Sequence, residues 1–377
     1  MRKTLALLAL LATPAAAQVC APAGLPAVNA CAGGRVRVAL VGDVLIHQAL
    51  AVRGYARGFD TLWGRAVPLL RSADLAIANL EGPVAPGLTA GGRRLADPGP
   101  VFDGLVHSDY PRFNYHPVLV EALRQAGIDV VTTANNHILD RGPEGVEATL
   151  DSLGAGRLAQ VGAARRGAPR WQALHLRTPA GRLALVACTF STNGIADPFR
   201  QIPRCFDDRG ALVALVGAEA ASGAGVMVLP HWGQEYATAP DVRQRRLARE
   251  LVAAGAMAVV GTHPHVPQPW EMLDGPAGRV PVVYSTGNFV AAQPPLERAT
   301  APLVWLDLCA GPRGPRVAGA GYTALQMEFD GADPSLTLPR LGDGPRAEAG
   351  LALLARLIPG REAPANCRPA PVLTPNR

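Results

Sequence analysis

Short apolar runs recur along the chain, and each stops at a polar cluster. Arg35 to Val41 ends in Gly42-Asp43, Leu75 to Asn79 runs into Glu81, and Val130 to Ala134 leads to Asn135-Asn136-His137. Val226 to Leu229 ends at His231, Met257 to Val260 at His263, and Val280 to Tyr284 at Ser285. Runs of this length, bounded by turn formers, predict buried strands. Between them, helical periodicity predicts helices over Pro117 to Ala126, Pro143 to Leu153 and Asp241 to Ala254. The alternation predicts an α/β protein with a buried sheet. Strands at Val304 to Leu308 and Tyr322 to Phe329, and a helix from Gly350 to Leu357, follow in a stretch that opens on Pro294-Pro295 and ends Pro-rich.

The N-terminus adds a compartment. Arg2 and Lys3, then the apolar run Leu5 to Leu11, then Ala15-Ala16-Ala17, have the order of a secretory signal peptide cleaved after Ala17. The run is about half the roughly 20 residues of a membrane span. The expected organisation is a signal peptide over 1–17, an N-terminal segment over 18–34, a main domain over 35–292 and a C-terminal extension over 293–377 packing on it. The expected location is the periplasm or cell surface.

Composition narrows the chemistry. Hydrophobic residues at 49% and charged residues at 18% fit a folded domain. Lys3 is the sole lysine, so the mature chain lacks both a Schiff-base lysine and a P-loop lysine. The remaining basic residues are arginines, suited to bidentate contact with carboxylate or phosphate. No basic patch is interleaved with aromatics, so nucleic acid is not the expected partner. The 6 cysteines (Cys20, Cys31, Cys188, Cys205, Cys309 and Cys367) read as disulfides in an exported chain. Pairing of sequence neighbours predicts 20–31, 188–205 and 309–367.

The polar residues at the strand ends carry the chemistry. In α/β sheets that edge is where sites are built. In an extended chain the imidazoles of His263 and His265 point the same way and can share a site; the plainer alternative is two surface histidines in a Pro-rich loop. His231 alone suits a hydrogen-bonded structural histidine as well as a ligand. In Asn135-Asn136-His137, an Asn oxygen can ligate a cation, and His137 can protonate a leaving group with Asp140 orienting it. The same Asn pair could instead cap the helix that follows Pro143. Asp43 and Glu81, unremarkable singly, supply the carboxylates that two neighbouring divalent cations need. Ser285-Thr286-Gly287-Asn288 suits a turn, with Asn288 a weaker substrate contact. Arg141 and Arg200 are further contacts for an anionic substrate.

The local sequences GDVLIHQ, ANLEGPV, TTANNHILDRG, HWGQEY, GTHPHVPQ and YSTGNF, in this order, resemble the CapA-like family of capsule (poly-γ-glutamate) synthesis, within the metallophosphoesterase superfamily. The resemblance spans about residues 36–292. It implies a four-layer αββα sandwich with two mixed sheets. It also implies two divalent cations (manganese, iron, zinc or magnesium) held by Asp43, Glu81, Asn136, His231, His263 and His265, with His137 as general acid. The chain departs from the phosphoesterase pattern where Asp-x-His is expected: Val44 and Leu45 follow Asp43, and His47 is not a clear substitute. The implied function is a metal-dependent hydrolase or transferase acting on an anionic envelope polymer or ester, working with the capsule-synthesis machinery. The alternative is a non-catalytic subunit that binds poly-γ-glutamate through the same pocket.

Overall fold

The computed structural model describes residues 18–22, 24–330, 333–342 and 344–369. The expected signal peptide lies outside the described residues.

Two mixed sheets pack face to face. The larger runs, in spatial order, through Asp333–Thr337, Arg316–Asp330, Thr300–Cys309, Arg35–Leu45, Leu75–Leu80, Val130–Thr132 and Ala159–Val161, with Asn288–Ala291 paired to Arg35–Leu45. The smaller runs through Trp270–Gly275, Gly278–Val283, Ala256–Val260, Gly225–His231, Gly181–Thr189 and Leu174–Thr178. In the larger sheet the strands from Arg35–Leu45 to Ala159–Val161 are parallel and the three from the C-terminal third antiparallel, while in the smaller the central strands are parallel and the two edge strands antiparallel. Strands Thr300–Cys309 and Arg316–Asp330, from the C-terminal third, are integral to the larger sheet.

Alternation along each strand assigns its two faces. Val38 and Leu40 point between the sheets, where they meet Leu183, Leu185, Met227 and Leu229. Ala39 and Val41 point outward, into a layer built from Leu50, Trp63, Leu119 and Leu123. On the far side, Val186 and Val228 meet Leu212, Val216, Leu247 and Leu251 of the helices Arg209–Ala221 and Val242–Ala254. Strands buried on both faces must be apolar throughout, hence the unbroken runs in the sequence. The result is the expected four layers, αββα.

The expected helices form at Val118–Ala126, Gly142–Ala155 and Val242–Ala254, and the C-terminal one at Ala347–Leu357. Asp241 caps its helix, its side chain accepting from Gln244 N while Gln244 reaches back. The Asn pair caps nothing: Arg141 is the N-cap of Gly142–Ala155 and makes no side-chain cap bond.

Cysteine pairing departs from the nearest-neighbour expectation. Cys188 pairs with Cys205 as expected, but Cys31 pairs with Cys309, which overturns both 20–31 and 309–367. Cys309 ends a strand that lies beside Arg35–Leu45, so the chain just before that strand reaches it. Cys20 and Cys367 are register partners on the antiparallel pair Gln18–Pro22 and Ala365–Pro369. Cys188–Cys205 closes the loop holding Phe190, whose ring centroid lies 4.3 Å from that of His263, and Asn193, which lines the cavity described below. Replacing Cys188 and Cys205 together by serine should cost about 3 kcal/mol, the worth of closing a loop of roughly 15 residues. An unchanged unfolding midpoint in denaturant would contradict this. Among the described residues no helix is long and apolar enough to cross a membrane.

Candidate metal centre

The C-terminal ends of the parallel strands from both sheets meet at one place. Asp43 lies near the end of Arg35–Leu45, Glu81 directly follows Leu75–Leu80, and Asn136 and His137 follow Val130–Thr132. His231 ends Gly225–His231, and His263 and His265 follow Ala256–Val260. All are buried. Gly42 permits the closest approach. A Cβ there would overlap the carbonyl oxygen of Gly287, and Asp43 N donates to that oxygen at 3.1 Å. The turn carrying Asn288 is thereby pressed against Asp43.

Glu81 occupies the middle. Its backbone is pinned, the carbonyl accepting from Tyr115 Oη at 2.7 Å, yet neither carboxylate oxygen has a hydrogen-bond partner. Oε1 lies 3.5 Å from His231 Nε2 and 3.8 Å from His265 Nε2. Two overlapping triads result, Glu81 with His231 and His263, and Asp43 with Glu81 and His265, each with its ligand atoms within 4.8 Å of one another. Asn136 Oδ1 joins the first, 2.8 Å from His231 Nε2, and His263 Nδ1 is 3.2 Å from that same nitrogen. Acceptor atoms crowd together here around a fully buried carboxylate without hydrogen-bond partners. Such a carboxylate costs several kcal/mol unless a cation answers it. The donor set fits divalent metal.

Neighbours orient these groups. His231 Nδ1 lies 2.9 Å from Thr262 Oγ1, which leaves Nε2 for the centre. Asn79 donates to Asp43 Oδ1 at 2.8 Å and accepts from Thr132 Oγ1 at 2.8 Å. Asn288 Oδ1 lies 3.0 Å from His265 Nδ1, and its amide donates to the carbonyls of His265 and Arg298. Asn288 therefore fixes the His265 ring instead of facing solvent. His263 and His265 converge, though not as an extended chain would have them. Both have left-handed φ, +99° and +59°, a conformation costly for side chains other than glycine's and held only by the surrounding packing.

The charges follow from these contacts. Burial pushes the Asp43 carboxyl up, but the hydrogen bond and charge of His265, with His231 and Asn79, hold it below the usual range. Burial and then the charges of three other imidazoles press His263 well below 6.5, so it is neutral with a lone pair to give. Burial pulls His265 down too, but Glu81 and Asp43 together raise it to about 9.

Beside the cluster stands a proton-carrying pair. His137 Nδ1 is 2.7 Å from Asp140 Oδ2, and that oxygen also accepts from Phe113 N at 2.7 Å. Burial lowers the His137 pKa, yet the hydrogen bond and charge of Asp140 and the charge of Glu81 raise it above its ordinary value. His137 and Asp140 line a cavity of about 290 Å³ with Tyr110, Arg112, Asn193 and Glu235.

One expectation changes here. Arg141 does not face this cavity as a substrate contact. All its guanidinium N–H groups are taken: Nε donates to Leu88 O, Nη1 to the carbonyls of Arg112, Phe113 and Asp140, and Nη2 to Val106 O and Ser108 Oγ. It braces the loop before the helix Val118–Ala126. The exposed Arg112 is the arginine that lines the cavity. His47 stays out of the ligand triads. Its Nδ1 lies 3.2 Å from Leu45 O and 3.2 Å from Ala292 N, and burial lowers its pKa to about 4. Sequence reasoning also passed over Asn79, Thr262 and Glu235. All three stood inside the motifs that carry the resemblance.

An αββα sandwich with a buried carboxylate–imidazole cluster where its two sheets meet defines the class: an α/β protein with a candidate divalent-cation centre between two sheet edges. Within it, the family described as bacterial capsule synthesis protein PGA_cap matches residues 37–293, and the chain belongs to that family. It is 29% identical over 256 residues to the PGA biosynthesis protein CapA of Bacillus subtilis (strain 168), covering 67% of this chain and 62% of the relative. To the capsule biosynthesis protein CapA of Bacillus anthracis it is 26% identical over 280 residues, covering 69% and 60%. The chain thus spans about three fifths of the length of these relatives. Among solved structures, the calcineurin-like phosphoesterase YfkN of Bacillus subtilis aligns with a TM-score of 0.45 and 12% identity, over 86% of this chain and 97% of that one. A hypothetical protein of Thermus thermophilus aligns with a TM-score of 0.40 and 20% identity, over 80% and 97%.

Proposed function

We propose that this chain is an exported, metal-dependent hydrolase or transferase acting on an anionic polymer or ester of the cell envelope, in the service of poly-γ-glutamate capsule synthesis. The observation that carries the reading is Glu81, fully buried with both carboxylate oxygens unpartnered between imidazoles. Glu81, His231, His263 and Asn136 would hold one cation, and Asp43, Glu81 and His265 the other. When bound, such a pair supplies Lewis acidity and lowers the pKa of a water. The chain's own residues do the rest. Asn136 and His231 fix the edge of the centre, and Asn288 and Asp43 fix His265. Arg112, at the cavity, suits a negatively charged substrate. His137, with Nδ1 held by Asp140, presents Nε2 to donate a proton to the leaving group. A pure binding site has no use for that proton donor, which favours catalysis over the alternative of a poly-γ-glutamate-binding subunit.

The test joins metal analysis of the purified full chain to turnover of phosphodiester and poly-γ-glutamate substrates. Two divalent ions per chain are expected, bound more tightly as pH rises toward about 9, because a cation must displace the proton His265 holds below that value. Tight binding of poly-γ-glutamate with two metals and no turnover of any substrate would leave the binding subunit. A chain that takes up no metal would end both readings.

A further inference from the structure

Glu235 has no role in the centre as described, yet its carboxylate and the ring nitrogens of His263 and His265 lie within 4.8 Å of one another. His263 belongs to one Glu81 triad and His265 to the other, so Glu235 stands beside a member of each. Its backbone is tied to the histidine segment. Tyr236 N donates to Pro264 O at 2.8 Å, and Gln268 Nε2 donates to Ala237 O at 2.8 Å. The Arg298 guanidinium lies 3.5 Å over the Tyr236 ring and holds the loop down.

The two halves of the centre are unequally supplied. The His231 half has four side chains, Glu81, Asn136, His231 and His263. The other has three, Asp43, Glu81 and His265, and the residue two beyond Asp43 is Leu45, buried and without a donor atom. A divalent cation takes about four ligands or more.

We propose that Glu235 is the fourth side-chain ligand of the Asp43–His265 half, standing in for the histidine that Leu45 cannot be. This rests on reading the Glu81 cluster as a cation centre. Two consequences follow from the ligand chemistry. Three carboxylates and one imidazole make a hard, oxygen-rich site that suits manganese or magnesium, whereas Glu81, Asn136 and two imidazoles make a softer one. Glu235 is also the exposed member of the set and lines the cavity with His137 and Arg112, so this half of the centre faces the substrate.

The experiment titrates Mn²⁺ into metal-stripped full-length wild type and Glu235→Gln, reading stoichiometry by calorimetry and the coupling of paired Mn²⁺ ions by electron paramagnetic resonance. Glu235 is exposed, so glutamine should leave the fold intact, which the thermal midpoint checks. Wild type should bind two coupled ions. Glu235→Gln should keep one at wild-type affinity and lose the other by at least the roughly 10–100-fold that removing a hydrogen-bond partner of a ligand costs. The loss should persist in 1 M salt, where the Debye length is about 3 Å and through-space attraction is screened. Two ions at wild-type affinity in Glu235→Gln, or a deficit that disappears in 1 M salt, overturns the assignment and leaves the centre standing. A wild type that binds no Mn²⁺ or other divalent ion overturns the centre and the assignment together.

Discussion

Glu81→Ala is expected to release both cations at once. Its carboxylate belongs to both the His231–His263 and the Asp43–His265 triads, so this one substitution removes a ligand from each half of the centre. Metal content measured after gel filtration should fall from two ions per chain to none, whereas His231→Ala should spare the half built on Asp43 and His265. Stability gives a second readout. A cation that binds only the folded chain stabilises it by about 2.7 kcal/mol at a hundred times its dissociation constant. Wild type should therefore melt at a higher temperature when Mn²⁺ is added, and Glu81→Ala should not respond. Full metal occupancy and an undiminished thermal response in the variant would mean that the orphaned carboxylate answers to something other than metal.

The second large effect belongs to His137, and it separates an enzyme from a binder. His137→Ala should keep its metal, since Asn136 and not His137 joins the ligand cluster. Turnover should fall roughly 10²–10⁴-fold, the usual worth of a general acid. A substrate whose leaving group is already a stable anion should recover much of the loss. The pH profile carries the sign. Asp140 and Glu81 raise the His137 pKa against the pull of burial, so the imidazole is protonated below that raised value and loses its proton as pH climbs through it. Wild-type turnover of a poor leaving group should accordingly decline on the alkaline side, and His137→Ala should lack that limb. Equal turnover of a poor leaving group by both proteins would remove the catalytic role and leave the poly-γ-glutamate-binding subunit.

Much of this was legible in the sequence, and the reason is local. A strand buried on both faces must be apolar, and it must stop being apolar where it emerges. The runs ending at Asp43, Glu81, Asn136, His231 and His263 therefore announced both the sheets and the side of the sheets where polar groups gather. Asp241 and Gln244, three residues apart, form their capping box from neighbouring sequence alone. His137 and Asp140 share three residues' separation, so their hydrogen bond needed no distant partner.

Other features depend on which strands become neighbours, and no local pattern encodes that. Cys31 and Cys309 are 278 residues apart and meet because Thr300–Cys309 lies beside Arg35–Leu45. Arg141 follows Asp140 in sequence and looked like a substrate contact. Only the folding of residues 88–113 around it shows that backbone carbonyls and the Ser108 hydroxyl consume every donor it has. Asn288 read as a turn residue until the close approach of Gly42 to Gly287 brought it to His265. Glu235 sits four residues past His231, but its distance to His263 and His265 is set by the backbone ties of Tyr236 and Ala237 to another loop. Residue types and their strand-end positions were thus determined by the sequence, because burial acts on each strand separately. The convergence of two sheet edges on Glu81 was decided by tertiary structure, because a carboxylate's partners are set by what packs around it.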